Sequence, residues 1–442
     1  MKMPVHLNPL TLIGLLSALP ASLRADLVVD WNQEILNVIR TTSAAPPLAS
    51  RAMAILHTSI YDAVNGAVRE NVAYHVGGSA PSASSPEAAA IGAAYTVMTN
   101  LYPSQTAHFT AVRDAQIAAL PPTSLTTNGE AWGASVATQI LAWRATDGAA
   151  GSNNPALYTP TGLPGHWAPT PAAYAPPLFP GFGSVTPWTM SSGYQFRPPG
   201  PPALGSLTYA DDYNMVKDLG SISSATRTAD QTQIAKFWAD GGGTYTPPGH
   251  WNAIAQSFAA GLTIHESAKL FAALNVATAD AAVAAWDAKY VYDFWRPVTA
   301  IRAGDTDGNA STTVDLNWAP LIGTPAFPEY VSGHSTFSGA AAAVLNGLIG
   351  GDLAFSTQGD TNFDGIYDTT RSFANFDAAA SEAGSSRIYG GIHFNSANLD
   401  GLATGHEIGN QVLAGFFAAV PEASTWVLAL AGGLIGCCRR RR

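Results

Sequence analysis

Apolar residues recur along most of this chain at i, i+3, i+4 and i+7, the spacing that gathers them on one face of a helix. Met53, Leu56 and Ile60 fall on it, inside an Ala-rich stretch at 49–67. Comparable stretches run over 86–101, 131–145, 228–239, 251–274, 278–295, 336–348 and 402–418. Alternating β-branched and polar residues, the mark of a half-buried strand, are almost absent. The pattern predicts an all-α protein.

One segment interrupts it. Residues 151–205 hold 13 of the chain's 30 prolines, with Trp167, Tyr174, Phe179, Phe182 and Trp188 among them. The segment is either a linker or an ordered loop wrapped over the helices. A flexible linker would be rich in Ser and Gly and poor in apolar residues, so the aromatics favour the loop. It divides a body spanning 26–419 into N-terminal helices (26–150) and a second helical part (206–419). The two ends read as addresses. Residues 1–25 have the form of a secretory signal peptide: Lys2, an apolar run at 10–19, then Ala21 and Ala25 before a cut. Residues 420–442 begin Val420, Pro421, Glu422, Ala423, Ser424, continue with an apolar run at 426–438 and end in four arginines. That run is short for a membrane span of ~30 Å, and the arginines would stay on the cytoplasmic side.

Composition narrows the function. With 47% apolar and 12% charged residues the chain is not a disordered one. Between the terminal segments lie 15 basic and 30 acidic residues, which argues against nucleic acid or an anionic membrane as a partner of the body. Both cysteines, Cys437 and Cys438, belong to the tail. The body therefore has no disulfide, zinc-thiolate site or thiol nucleophile, and suits an exported or oxidant-exposed setting.

Against this acidic background three segments concentrate cations and imidazoles. The first runs from Lys289 to Arg296 and Pro297. Lys289, one of five lysines, is seven residues from Arg296, so both would share the face of a helix that ends near Arg296, because Pro297 cannot continue it. Trp286 lies one turn earlier. Such a pair either faces solvent, bridges to Asp287 or Asp293, or awaits an anion. The second segment is Pro328 to His334. Ser332 and Gly333 stand at the start of an apolar helix, where free N–H groups and the dipole favour an anion and Gly lets it approach; His334 sits at the edge, as a proton carrier or as a structural histidine. In the third, Arg387 and His393 flank a turn at Gly390 and Gly391. Together these segments suit a tetrahedral or bipyramidal oxyanion, with fork donors for its oxygens, one imidazole for in-line attack or ligation and another for proton transfer. A separate loop, Asp360, Asn362, Asp364 and Gly365, matches the first half of a calcium loop, but Arg371 stands where its last carboxylate belongs. It is either a weak calcium site or an Asx-rich turn.

The order K-x6-R-P, S-G-H, S-R-x5-H resembles the tripartite signature of the superfamily that joins vanadium-dependent haloperoxidases with type 2 phosphatidic acid phosphatases (PAP2), over about 262–416. The stretch from His57 to Asn65 also looks like the haloperoxidase branch. The resemblance implies the helical-bundle fold of that superfamily and vanadate as cofactor. His393 would be the vanadate ligand, or the phosphatase nucleophile, and His334 the acid–base partner. Lys289, Arg296 and Arg387 would neutralise the oxyanion, helped by the Ser332 hydroxyl and the Gly333 amide. Trp286 and Phe327 occupy the positions that shape the halide site in the chloroperoxidase branch. The implied activity is oxidation of halide by hydrogen peroxide to hypohalous acid, with Lys289 polarising the peroxide. The alternatives are an acid phosphatase cleaving a phosphomonoester through a phospho-histidine, and a non-catalytic surface or matrix protein that keeps the fold. Two departures stand out: Val331 replaces the proline before Ser332, and the phosphatase branch's Asp four residues after the last His is Ala397, with Asp400 three further on. The tail resembles a PEP-CTERM sorting signal, with Ala423 in place of its second proline. That implies a processing enzyme as partner, transient membrane anchoring, and a final place at the cell surface or matrix of a Gram-negative bacterium.

Overall fold

The computed structural model describes residues 26–419 other than Phe363. The expected signal segment and sorting tail lie outside the described residues. Among the described residues five helices precede the Pro-rich segment: α1 (Leu27–Thr42), α2 (Pro46–Val68), α3 (Pro86–Leu101), α4 (Thr106–Ala118) and α5 (Ser124–Arg144). Eight follow it: α6 (Leu207–Gly220), α7 (Ala229–Phe237), α8 (Thr246–Gln256), α9 (Ile264–Tyr292), α10 (Pro297–Arg302), α11 (Gly333–Leu348), α12 (Phe376–Tyr389) and α13 (Asn395–Gly415). The protein is helical, as its periodicity predicts. A small addition is an antiparallel hairpin, β1 (Phe355–Gly359) and β2 (Thr369–Phe373), with Phe355 opposite Phe373.

Helix α9 is the axis of the molecule. The two stretches expected at 251–274 and 278–295 are divided differently: α8 stops at Gln256, and α9 runs unbroken through Thr278. Its start is fixed by a capping box, in which the Thr263 hydroxyl accepts the Glu266 N–H and the Glu266 carboxylate accepts the Thr263 N–H. The helix is apolar enough to cross a membrane by composition, yet 94% of that apolar window is buried in protein, so it is a core helix packed against α2, α11 and α13.

Helices α11 and α13 approach until their backbones touch. A Cβ added at Gly405 would lie 2.2 Å from the Thr336 carbonyl oxygen, and one at Gly339 would lie 2.3 Å from that of Leu402. This contact fixes the start of α11. The Pro-rich segment is an ordered loop clamped onto α9. Trp167, Phe179, Phe182 and Trp188 are buried, while Tyr174 faces solvent. The wholly buried Asp280 carboxylate accepts N–H bonds from Trp188 and Thr189 (2.7 and 2.8 Å), and Arg197 grips Asp287 with two nitrogens (2.6 and 2.8 Å). That satisfies carboxylates that would otherwise be stranded on a core helix.

Candidate active site

The site begins where α9 ends. Asp293 adopts a left-handed conformation (φ 53°) and its N–H closes on the Lys289 carbonyl, so the helix terminates at Tyr292. Arg296 is then the N-cap of α10, and Pro297 occupies the first helical position, where its missing N–H costs nothing. The single shared helix face expected for Lys289 and Arg296 is therefore not what joins them. They converge instead on one segment of backbone. Lys289 Nζ donates to the carbonyls of Pro328 (3.2 Å), Glu329 (3.0 Å) and Val331, and Arg296 Nε donates to that of Phe327 (2.8 Å). Both cations also lie against the Phe327 ring, at 5.0 and 4.9 Å from its centroid.

Arg296 reaches the third motif as well. Its Nη1 donates to the Ile392 carbonyl (2.8 Å) and meets His393 Nε2 at 3.1 Å. Gly391, at φ 79°, makes the turn that returns the chain from α12 to this point. The other ring nitrogen, His393 Nδ1, lies 2.7 Å from Glu329 Oε1, which also accepts the Phe394 N–H at 2.9 Å. Arginine can only donate, so Nε2 is the acceptor and Nδ1 carries the proton. The result is a neutral imidazole with its Nε2 lone pair turned toward the cations. Burial, and then the charges of Arg296, Lys289 and Arg387, hold the His393 pKa far below the ordinary imidazole range. Burial pushes the Glu329 carboxyl up to about 8, against the pull of Arg296, the Phe394 N–H and Lys289.

The second motif supplies the opposite wall. Ser332 is the buried N-cap of α11; its Oγ accepts the Ser335 N–H (3.3 Å) and lies 2.8 Å from the Ser335 hydroxyl, which also donates to Asn398 Oδ1 (2.9 Å). His334 Nε2 lies 3.2 Å from the Ala239 carbonyl, so Nε2 holds the proton and Nδ1 the lone pair. Arg387 Nη1 donates to the Trp238 carbonyl next door (2.8 Å). Burial and the neighbouring Arg387 charge hold the His334 pKa well below normal. Burial lowers Arg387 to about 9 and Arg296 to about 10. Trp286, Phe327, Gly333, His334, Arg387 and His393 all line one cavity of about 560 Å³, and the Trp286 and Phe327 rings pack 5.1 Å apart.

Cations outnumber carboxylates in this cluster. Lys289, Arg296 and Arg387 are buried together, and the carboxylates beside them are Glu329 and Asp240, the latter also held by His250 at 3.2 Å. Arg296 Nη2 and Arg387 Nε are buried without a hydrogen-bond partner. Stranded guanidinium N–H groups at one site are costly unless acceptors arrive from a ligand. A compact oxyanion such as vanadate or phosphate, rich in acceptors, fits that set.

The expected site residues thus come together: Lys289, Arg296 and His393 through the 327–331 segment, and Gly333, His334, Arg387, Trp286 and Phe327 around the cavity. Glu329 was not foreseen, although it lies inside the second motif; a carboxylate beside Pro328 was the available signal. Asp400 does not orient His393. It accepts the Tyr330 hydroxyl at 2.7 Å, and Glu329 has the place beside the imidazole. The calcium reading of Asp360, Asn362 and Asp364 finds no support. These residues connect β1 to β2 and bond within the loop: Gly365 N–H to Asp360 (2.8 Å), Asn362 to Asp364 (3.0 Å) and Ile366 N–H to Asp364 (2.8 Å). Arg371 pairs with Glu382 and Asp230. Among the described residues no group of three His, Cys, Asp or Glu side chains could hold a metal ion.

A buried, cation-rich pocket between helices marks this protein, and known proteins resemble it. The family model of the vanadium chloroperoxidase (VCPO) second helical-bundle domain matches residues 269–420. The vanadium chloroperoxidase of Curvularia inaequalis is 30% identical over 191 residues, 37% of this chain and 31% of that protein, so the match spans about a third of the relative's length. A crystal structure of a bacterial vanadium-dependent iodoperoxidase superposes with a TM-score of 0.76 at 29% identity, over 90% of this chain and 97% of that one. A bacterial vanadium-dependent chloroperoxidase in its holo form shares the fold, with a TM-score of 0.67 at 18% identity over 84% of this chain and 92% of that one. These matches support the vanadium haloperoxidase/PAP2 superfamily.

Proposed function

We propose that this protein is a vanadate-dependent haloperoxidase that oxidises halide with hydrogen peroxide to hypohalous acid. The observation that carries the reading is the 3.1 Å contact of Arg296 Nη1 with His393 Nε2, inside a buried cluster whose guanidinium groups still lack acceptors. Lys289, Arg296 and Arg387 would hold vanadate, with Ser332, Gly333 and the Nε2 of His393. Bound there, vanadate supplies a Lewis-acidic centre that activates hydrogen peroxide without changing its own oxidation state. The side chains do the rest. The three cations, all buried, fix positive charge where negative charge must be held. Glu329 keeps the His393 proton on Nδ1 and so leaves Nε2, which meets Arg296 Nη1, with its lone pair. His334, its Nε2–H spent on the Ala239 carbonyl, has Nδ1 free to take and return a proton. Trp286 and Phe327 give a halide a dry apolar wall. The relatives named as vanadium chloroperoxidase and iodoperoxidase support this reading.

One observation favours a second reading, a PAP2-type phosphatase on phosphomonoesters: Glu329 gives His393 the orienting carboxylate that Ala397 cannot supply. The test is an assay of the purified chain with orthovanadate, hydrogen peroxide and bromide, chloride or iodide, and a parallel assay without vanadate on a phosphomonoester. Halogenation that survives His393→Ala refutes the first reading. Phosphomonoester cleavage without halogenation establishes the second. Vanadate binding with neither activity points to a non-catalytic surface protein. We also propose export, by the signal-like segment 1–25 and the sorting-like tail 420–442. Cell fractionation and the mass of the mature chain test this; an intact chain confined to the cytoplasm refutes it.

A further inference from the structure

Ser332 is held from behind by the first turn of α13, the helix that follows His393. The Ala397 carbonyl accepts the Ser332 N–H at 3.0 Å, and a Cβ added at Gly401 would lie 2.8 Å from the Ser332 carbonyl oxygen. The buried Asn398, next in the chain after Ala397, sets its Oδ1 2.9 Å from Ser335 Oγ. Helix α12 makes room for that side chain, since a Cβ added at Gly384 would lie 1.9 Å from Asn398 Oδ1. Three helices are shaped around one amide oxygen. Ser335 Oγ in turn lies 2.8 Å from Ser332 Oγ, and both serines are wholly buried. An amide oxygen only accepts, whereas a hydroxyl has one hydrogen to donate and two lone pairs. The two contacts can each hold a hydrogen in one way: Ser335 donates to Asn398, and Ser332 donates to Ser335. Any other arrangement leaves two buried oxygens facing each other with no hydrogen between them, the cost of an unmade bond. One lone pair of Ser332 Oγ then accepts the Ser335 N–H at 3.3 Å, and the second is left over.

We propose that Asn398 is a positioning residue which, through Ser335, turns Ser332 into an acceptor toward the oxyanion, so that the cradle selects an oxyanion still carrying a proton. The inference rests on the reading of Ser332 as part of that cradle. Near neutral pH orthovanadate and orthophosphate keep at least one hydroxyl, which can donate to the spare lone pair of Ser332. Sulfate presents only bare oxygens and would set one of them against that lone pair, in a buried place where no water can intervene. Phosphate and sulfate share size and tetrahedral shape. Lys289, Arg296 and Arg387 attract the doubly charged sulfate at least as strongly as a singly charged phosphate. Charge and shape therefore give no preference for phosphate, and the direction of the Ser332 hydrogen does.

The test is calorimetric binding of orthophosphate and of sulfate to the full chain near neutral pH, with neither vanadate nor peroxide present. Phosphate should bind about tenfold or more tightly than sulfate, the worth of one hydrogen bond made to a charged group. In Asn398→Leu the Ser335 hydrogen passes to Ser332, whose own hydrogen is released to a bare oxygen, and the preference should fall about tenfold. Ser335→Ala cuts the chain one step nearer the anion and should lower the preference in the same sense, which keeps the test open where the leucine variant does not fold. A purely structural role for Asn398 would weaken both anions together and leave their ratio where it was. An unchanged ratio in the variants, or sulfate bound by the wild type as tightly as phosphate, overturns the role of Asn398 and leaves the cradle standing. Binding of neither anion overturns the cradle itself, and the haloperoxidase reading with it.

Discussion

Replacing Arg296 by lysine keeps the charge and removes the geometry, and so isolates what the guanidinium contributes. Arg296 serves the Phe327 carbonyl, the Ile392 carbonyl and His393 Nε2 from one rigid fork, with Nη2 to spare. A lysine ammonium is a single point on a flexible stem and cannot reach all of these. For an oxyanion the variant loses charge-assisted hydrogen bonding worth about 1.5–3 kcal/mol. A loss of about 2 kcal/mol, inside that range, is roughly a thirty-fold weaker affinity, at 1.4 kcal/mol per tenfold. The assay is thermal unfolding with and without orthovanadate, which reads binding whether or not the enzyme turns over. At a concentration of 100 Kd the wild type gains about 2.7 kcal/mol, and a thirty-fold weaker site gains about 0.9 kcal/mol at that concentration. For a cooperative body of this size the melting shift shrinks from about 3 °C to about 1 °C. Orthophosphate should show the same ordering, because its oxygens occupy the same tetrahedral directions. A variant that retains the whole vanadate shift would refute the assignment of Arg296, and with it the convergence of the three motifs on one anion.

Glu329→Gln keeps an acceptor for the Phe394 N–H and removes the ionisable carboxyl facing His393. Turnover should fall about 10–100-fold, the usual loss for a partner behind a metal-ligating histidine, with the peroxide KM and the melting temperature little changed; an unchanged kcat sinks the positioning role. Gly405→Ala puts a methyl 2.2 Å from the Thr336 carbonyl oxygen and must push α13 off α11. Overpacking of this kind costs about 1–3 kcal/mol, and the vanadate shift should shrink with it because α11 carries Gly333 and His334; a wild-type melting curve would show that the helices are further apart. His57 is wholly buried, with Nε2 at 2.9 Å from Asn32 Oδ1, and burial lowers its pKa from 6.5 to about 3. The folded protein holds the ring neutral while the unfolded chain protonates it, so this contribution is complete above pH 6.5 and is lost as the pH falls toward 3. The slope is about 1.4 kcal/mol per pH unit, and denaturant midpoints of His57→Gln between pH 6.5 and 4 should fall less steeply than wild type by that amount; parallel slopes would disprove it.

How far the sequence carries a reader depends on what sets each feature. The helices were legible because their cause is local: α3 runs from Pro86 to Leu101, just as the periodicity placed it, with Ser85 capping and Pro86 in the first turn. The split between α8 and α9 was not, because Ala-rich sequence continues across it and only the capping box at Thr263 marks the restart. The hairpin escaped notice because each strand has five residues and a half-exposed face. The end of α9 was misplaced for a physical reason. Pro297 reads equally as a stop after one helix or as the first residue of the next, and a left-handed Asp293 decides for the second. That shift changes how the site is built. Lys289 and Arg296 leave the same helix face, and the 327–331 backbone becomes the bracket that joins them. Once Phe327, Pro328 and Glu329 supply carbonyls to both cations, the Glu329 side chain is carried to His393 by a segment already fixed at either end. Motif spacing reveals residues that meet a ligand, since their chemistry is named in their type. It is silent on a carboxylate whose position is set by two side chains bonding to its neighbours' backbone, and that is why Glu329, which stands well before His393 in the chain, shows itself only in the fold.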